Sequence, residues 1–229
     1  MTPDEILSRL LYRDALMLII DKPAGIPVHK GSGGGDNLEQ YFEHLRFGLP
    51  RAPALAHRLD RDTSGCLVLG RHRQALARLG KLFEQNAIRK TYWAVVAGKP
   101  PENQGVIDLP LARQSGDSRR WHMKISEGEA DTVSAVTEYK LMGSADGISW
   151  LELNPLTGRT HQLRVHCQAM GCSIIGDKFY GVPSEDALQL HARAVTIPLY
   201  PKKEPISVTA PVPSHMQAHL QKCGLSTIE

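Results

Sequence analysis

No apolar run in this chain approaches the roughly 20 residues that a helix needs to cross a bilayer. The longest strongly apolar stretch, ALMLII, occupies only 15–20. The opening MTPDEILSRL lacks the basic start and apolar middle of a secretory signal, so no membrane association is expected. Cysteine is scarce as well. Cys66, Cys167, Cys172 and Cys223 form no Cys-x-x-Cys pair and no dense framework; they read as free thiols in a reducing compartment, which predicts a cytoplasmic protein. Aromatics make up 6% of the chain, too few for the aromatic-rich groove expected of a carbohydrate hydrolase. The glycine run GSGGGD at 31–36 is not followed by Gly-Lys-Ser/Thr, so it reads as a mobile loop and not a phosphate loop. Nor is there a Gly-x-Ser-x-Gly pattern, which leaves Thr63 and Ser64 as turn-capping residues and not nucleophiles. His161 and His166 are five apart, off the one-face spacing of a helical metal pair, and His57 has no second ligand at a usual interval. Neither a metal site nor a cofactor is expected.

What is present is an ordinary globular composition, 41% hydrophobic and 22% charged over 229 residues, enough for a substantial core. No Pro/Ser/Gly linker divides the chain, which predicts one domain over 1–229. The pattern is mixed α/β. Thr2, Pro3 and Glu5 read as the capped start of a short helix. LMLIID (16–21) and CLVLG (66–70) read as strands, and KPAGIPVH as a turn leaving the first of them. Asp36 is placed to cap a helix over 37–46. Ala75, Leu76, Leu79, Leu82 and Phe83 recur at helical spacing, predicting an amphipathic helix over 72–86 with a basic outer face. Further strands are expected over 88–98, 132–142, 148–154, 193–199 and 205–209, with a final helix near 213–222. Residues 110–131 read as a polar surface excursion. A helix is expected within 156–171, its first turns carrying Arg159, His161 and Arg164.

Charge is unevenly placed. Residues 46–90 hold ten lysines and arginines against three acids, a surplus of seven in a chain whose net charge is +3. Such a block suits a polyanion at one face, or simply a solvated basic surface. Within it lies HRLDRDTSG (57–65), alternating bases and acids at the mouth of an apolar strand. That stretch is either a charged turn or a carboxylate held ionised in a setting attractive to phosphate.

Taken together, HRLDRDTSG (57–65), RKTYWAVVAG (89–98) and GRTHQLRVHCQAMGCSIIGDKFYG (158–181) resemble the RNA pseudouridine synthases of the RluA type. LIIDKPAGIPVH (18–29) and LHA (190–192) resemble that family's opening and closing motifs, in the same order. The resemblance spans about residues 12–200. It implies an α+β fold: a mixed, largely antiparallel β-sheet with flanking helices and a central basic cleft. One departure is Cys172-Ser173, where the family often has an apolar residue and proline, which implies a less stiff loop. The motifs begin within the first two dozen residues, so the S4 RNA-binding domain that many relatives carry is not expected.

The implied activity is isomerisation of specific uridines to pseudouridine in structured ribosomal or transfer RNA, acting on a stem-loop without a cofactor, a metal or an obligatory protein partner. By resemblance Asp60 is the catalytic carboxylate, and Arg164 is the guanidinium that keeps it ionised against desolvation. Read from its residue type alone, Arg164 equally suits a salt bridge bracing its helix. Tyr92 stacks on the uracil by resemblance, its hydroxyl lying where a proton leaves the ring; without the motif it is an ordinary core tyrosine. Arg58 is implied to fill the gap left by the extruded base. His57, Arg159 and His161 complete the RNA-binding set, the last two suited to phosphates near a helix start. Two other classes compete: a basic RNA-binding protein without catalysis, and a carbohydrate hydrolase using Asp60.

Overall fold

The structure, a computed structural model, describes residues 1–30, 34–114, 122–126, 128 and 131–226. Half of the GSGGGD run and the middle of the polar excursion at 110–131 lie outside the described residues. In chain order the elements are α1 (Pro3–Ser8), β1 (Leu10–Arg13), β2 (Met17–Lys22), a 3-10 helix (Leu38–Leu45), β3 (Ala54–Leu55), β4 (Ser64–Gly70), α2 (Arg73–Glu84), β5 (Arg89–Ala97), β6 (Gln104–Asp108) and β7 (Leu111–Arg113). Then follow β8 (Met123–Ile125), β9 (Val136–Ala145), β10 (Ile148–Pro155), α3 (Gln162–Ala169), β11 (Leu190–Ile197), β12 (Ile206–Thr209) and α4 (Ser214–Lys222). They form two compact units, Met1–Lys90 with Ala192–Pro211, and Thr91–His191 with the stretch from Val212.

In the first unit the strand order is β1-β2-β4-β11, with β3 on β4 and β12 on β11. β2 pairs antiparallel with both β1 and β4. Both inner strands are apolar runs without alternation because both faces are covered; every residue of β4 is buried. On one side α2 packs Leu79, with Leu82 and Phe83, onto Met17, Ile19, Cys66 and Val68. A Cβ on Gly70 would meet the Leu76 backbone, so this glycine sets how closely helix and strand approach. The capping box at Thr2 and Glu5 is formed as read. The segment after Asn37 differs from its reading. It is 3-10 and not α, Asn37 is its cap residue, and the Asp36 carboxylate accepts from the Tyr41 hydroxyl instead of capping.

In the second unit β5, β10, β9 and β6 form an antiparallel series in that order, and β7 pairs antiparallel with β8. Period-two alternation divides its residues between two helices. Ala94 and Val96 of β5, with Leu151 and Leu153 of β10, pack with Leu163 and Cys167 of α3. Val95 and Trp150 pack with Met216 and Leu220 of α4. A mixed, largely antiparallel fold with helices on the sheet faces is therefore what the sequence folds into. All four cysteines are free and buried, and burial pushes the Cys66 thiol up to about 12.

Candidate active site

Residues 57–65 of the first unit run from β3 into β4. Leu59 is buried and anchors the middle of the loop, while Arg58 and Arg61 on either side are exposed. Thr63 donates its backbone N–H to the Asp60 carbonyl, a turn of 3.2 Å that gives the Asp-Arg-Asp-Thr stretch its bend. Gly65 follows with φ +105°, in a place where a Cβ would strike the Ala192 carbonyl; no other residue type fits there.

What fixes this loop is Lys22, a residue the sequence reading passed over. It ends β2 with a side chain fully removed from solvent. Its Nζ donates three hydrogen bonds, to the carbonyls of Pro23 at 2.8 Å, Arg61 at 2.8 Å and Thr63 at 2.9 Å. All three ammonium donors are thereby satisfied. Burial pushes its pKa down to about 8, against the opposing pull of Asp62, Asp60 and Asp21. A second tie is reciprocal: Gly25 N–H donates to the Arg61 carbonyl at 3.0 Å, and Arg61 Nε donates to the Gly25 carbonyl at 3.1 Å. The KPAGIPVH turn is thus locked to the loop that carries Asp60. The only sequence signal was an Asp-Lys pair closing an apolar run within a family motif. Asp62, by contrast, is exposed and lies 3.9 Å from Arg61.

His57 holds a structural post. Its Nε2 accepts the Val68 N–H at 3.1 Å and its ring stacks on Phe83 with centroids 4.5 Å apart. Burial, with the charge of Lys90 nearby, pushes its pKa down to about 4. The imidazole is neutral and serves the α2 interface, which gives it a role other than the RNA contact implied by resemblance.

The remaining expected residues lie in the second unit. Tyr92 sits half-buried on β5 opposite Leu153 and packs against the α3 side of the core. Arg164, almost fully buried on α3, forms a two-pronged ion pair with Asp177, Nε and Nη2 each 2.7 Å from a carboxylate oxygen. Burial alone would raise the Asp177 pKa. Arg164 and the N–H groups of Phe179 and Tyr180 outweigh it and hold the carboxyl below its usual range. A brace of this kind was one of the two readings of Arg164.

The helix start differs from its reading. α3 begins at Gln162, so Arg159 lies outside it, and His161 is its cap residue in the left-handed region at φ +54°. The Gln162 amide occupies the turn, accepting from Arg159 N–H and Thr157 Oγ1 and donating to the Val136 carbonyl. Arg159 is exposed, its Nε on the Ser134 carbonyl, and His161 Nδ1 lies 2.8 Å from the Tyr180 hydroxyl. Ser173 stiffens the loop that lacks proline: its hydroxyl donates to the Tyr180 carbonyl at 2.9 Å and its own carbonyl accepts from Ala97.

Comparison with known proteins points one way. Residues 16–169 match the RNA pseudouridylate synthase family. The chain is 42% identical to an uncharacterized RNA pseudouridine synthase of Zymomonas mobilis, over 91% of this chain and 95% of that protein. It is 33% identical to ribosomal large subunit pseudouridine synthase C of Haemophilus ducreyi, over 95% of this chain and 70% of that one. Among solved structures, human RNA pseudouridylate synthase domain containing 4 superposes with a TM-score of 0.82 at 25% identity, covering 99% of this chain and 97% of that chain.

Two predictions arise here. Lys22→Met orphans three carbonyls beneath the Asp60 loop, each worth about 1 kcal/mol or more when unsatisfied, partly offset by relief of the lysine's desolvation. Net destabilisation of about 2 kcal/mol in urea unfolding is expected, with turnover reduced about 100-fold because the loop moves. Wild-type turnover in a folded Lys22→Met protein would show that the clamp does not position the loop. The second concerns acid. The folded pKa of His57 lies below its unfolded value, so its contribution is fully present above about 6.5 and is lost as pH falls toward about 4. Urea midpoints should drop between pH 7 and pH 5, and His57→Gln should shrink that drop without abolishing it, since burial also lowers His166 and His215. An undiminished drop would remove His57 from the account.

Proposed function

Since the chain belongs to the RNA pseudouridine synthase family and so isomerises uridine to pseudouridine in RNA, we propose that Asp60 is the carboxylate on which the isomerisation depends and that the target lies in a stem-loop of structured ribosomal or transfer RNA. The reaction breaks the bond between ribose C1′ and ring nitrogen N1, turns the detached base, and rejoins C1′ through C5. The hydrogen on C5 is lost and N1 gains one, so the atoms balance without an external oxidant or reductant. A carboxylate serves this sequence either by adding to the sugar or by taking a proton. Both roles require it ionised and held in place.

The observation that carries the assignment is the Lys22 clamp. Of the two acids in HRLDRDTSG, Asp60 is half-buried and opens the turn whose Arg61 and Thr63 carbonyls are fixed by the buried ammonium, whereas Asp62 points outward. By the family motifs alone, Tyr92 is the aromatic partner of the uracil and Arg164 the guanidinium assigned to the carboxylate. Arg58 is exposed and its side chain has no hydrogen-bond or ionic partner among the described residues, which suits a group that replaces an extruded base.

Asp60→Asn is expected to abolish pseudouridine formation while RNA affinity and unfolding midpoint stay near wild type; Asp62→Asn should leave turnover within about threefold, as for a solvated surface acid. The check is a quantitative pseudouridine assay on RNA incubated with each protein, and sustained turnover by Asp60→Asn would overturn the assignment. The substrate class has its own test. Extrusion costs less from a loop than from a duplex, and loop bases are already partly unstacked. A short isolated hairpin bearing the target should therefore react at a rate near that of the intact parent RNA, and its fully paired counterpart far more slowly. Reaction of the intact RNA alone would place recognition beyond the stem-loop.

A further inference from the structure

Phe179 is the one exposed side chain among the described phenylalanines, tyrosines and tryptophans, 50% accessible, and the others are buried or half-buried. Its placement is rigid. The backbone N–H donates to Asp177 Oδ1 at 2.9 Å, and that carboxylate is held by both prongs of Arg164. Arg164 reaches back so that its guanidinium carbon lies 5.2 Å from the Phe179 ring centroid. The His161 ring lies nearly parallel to Phe179, 14° off with centroids 6.1 Å apart, and the His122 ring meets it edge-on at 4.9 Å. His161 reaches that position from a left-handed backbone, which costs a non-glycine residue about 1 kcal/mol, and its Nδ1 lies within hydrogen-bond distance of Tyr180. Lys178, next in sequence to Phe179, is exposed, as is Arg159, two residues before His161.

We propose that Phe179, flanked by His122 and His161, is a stacking platform for an unpaired base of the RNA, a nucleotide subsite additional to the residues assigned to isomerisation. An exposed ring that is fixed in advance offers its π-face at little entropic cost, and every base has a face to match. The cations beside it suit the phosphates flanking such a base. Folding alone gives no reason to hold a large apolar ring in water on so ordered a backbone. The proposal rests on the RNA reading above.

The test is binding of a fluorescently labelled ten-nucleotide oligouridylate, followed by anisotropy, to wild type and to Phe179→Ala, Phe179→Leu, Phe179→Tyr and Phe179→Trp. Stacking predicts affinity about fivefold or more weaker for the alanine and leucine variants, with the tyrosine and tryptophan variants within about twofold of wild type. Equal unfolding midpoints establish that the variants fold. Wild-type affinity in Phe179→Ala overturns the platform, and wild-type affinity in Phe179→Leu reduces it to an apolar contact. Pseudouridine formation by the wild-type protein in bulk RNA is measured separately. If no pseudouridine forms but affinity still follows the aromatic order, the functional reading fails and the platform stands.

Discussion

The ammonium of Lys22 is the constraint on which the Asp60 loop depends. Two irregular segments, the turn after β2 and the loop before β4, bring three carbonyls to one buried point. Carbonyls in an apolar setting need donors, and no backbone N–H can approach all three from one direction. A lysine can, since its tetrahedral ammonium has three donors and no acceptor. The charge also explains why acids gather nearby: Asp60, Asp62 and Asp21 each favour the protonated lysine, while burial opposes it. Arginine would not substitute, because a planar fork cannot meet three carbonyls spread around one point.

The second unit solves a similar problem with an ion pair. The segment after Ile174 is irregular, and its N–H groups at Phe179 and Tyr180 donate to Asp177 Oδ1. The same carboxylate takes both prongs of Arg164. A buried pair of this sort is weak evidence for stability, because desolvation offsets much of the attraction. Its use is to specify geometry. It fixes where the guanidinium lies and how the two following rings are presented, and an apolar pair of the same volume could do neither.

The fold was legible in the sequence where burial follows a simple period. β4 and β2 announce themselves as apolar runs, β5 and β10 as alternations, and α2 by its spacing. The site was legible only where family motifs carried it. Lys22 was passed over because a lysine at a strand end reads as the point where the chain meets water, and only the tertiary convergence of three carbonyls reverses that. His57 was placed in the RNA-binding set, yet its ring turns inward to Val68 and Phe83. The start of α3 was misread because its cap residue, His161, stands in the left-handed region and makes no side-chain cap hydrogen bond, so no usual cap signal marks the first turn.

The same distinction applies to the basic block at 46–90, whose composition overstates what an RNA would meet. Arg71 donates to the carbonyls of Asp14, Arg46 and Phe47, and Arg46 pairs with Glu43. Arg61 is tied to Gly25, Arg78 lies against the Tyr200 ring, and Lys90 is half-buried with its pKa lowered by burial. Arg51, Arg58, Arg73, Lys81 and Arg89 remain exposed with no side-chain hydrogen bond or ion pair among the described residues. A guanidinium already satisfied by carbonyls can still add to the field around the protein, but it gains little by a phosphate contact because it must first release its partners. Those five side chains can meet an anion without first giving up a partner among the described residues. Of the ten positive residues in the block, Arg61 and Arg71 hold the protein's own backbone in shape, and five stand exposed without a side-chain partner among the described residues.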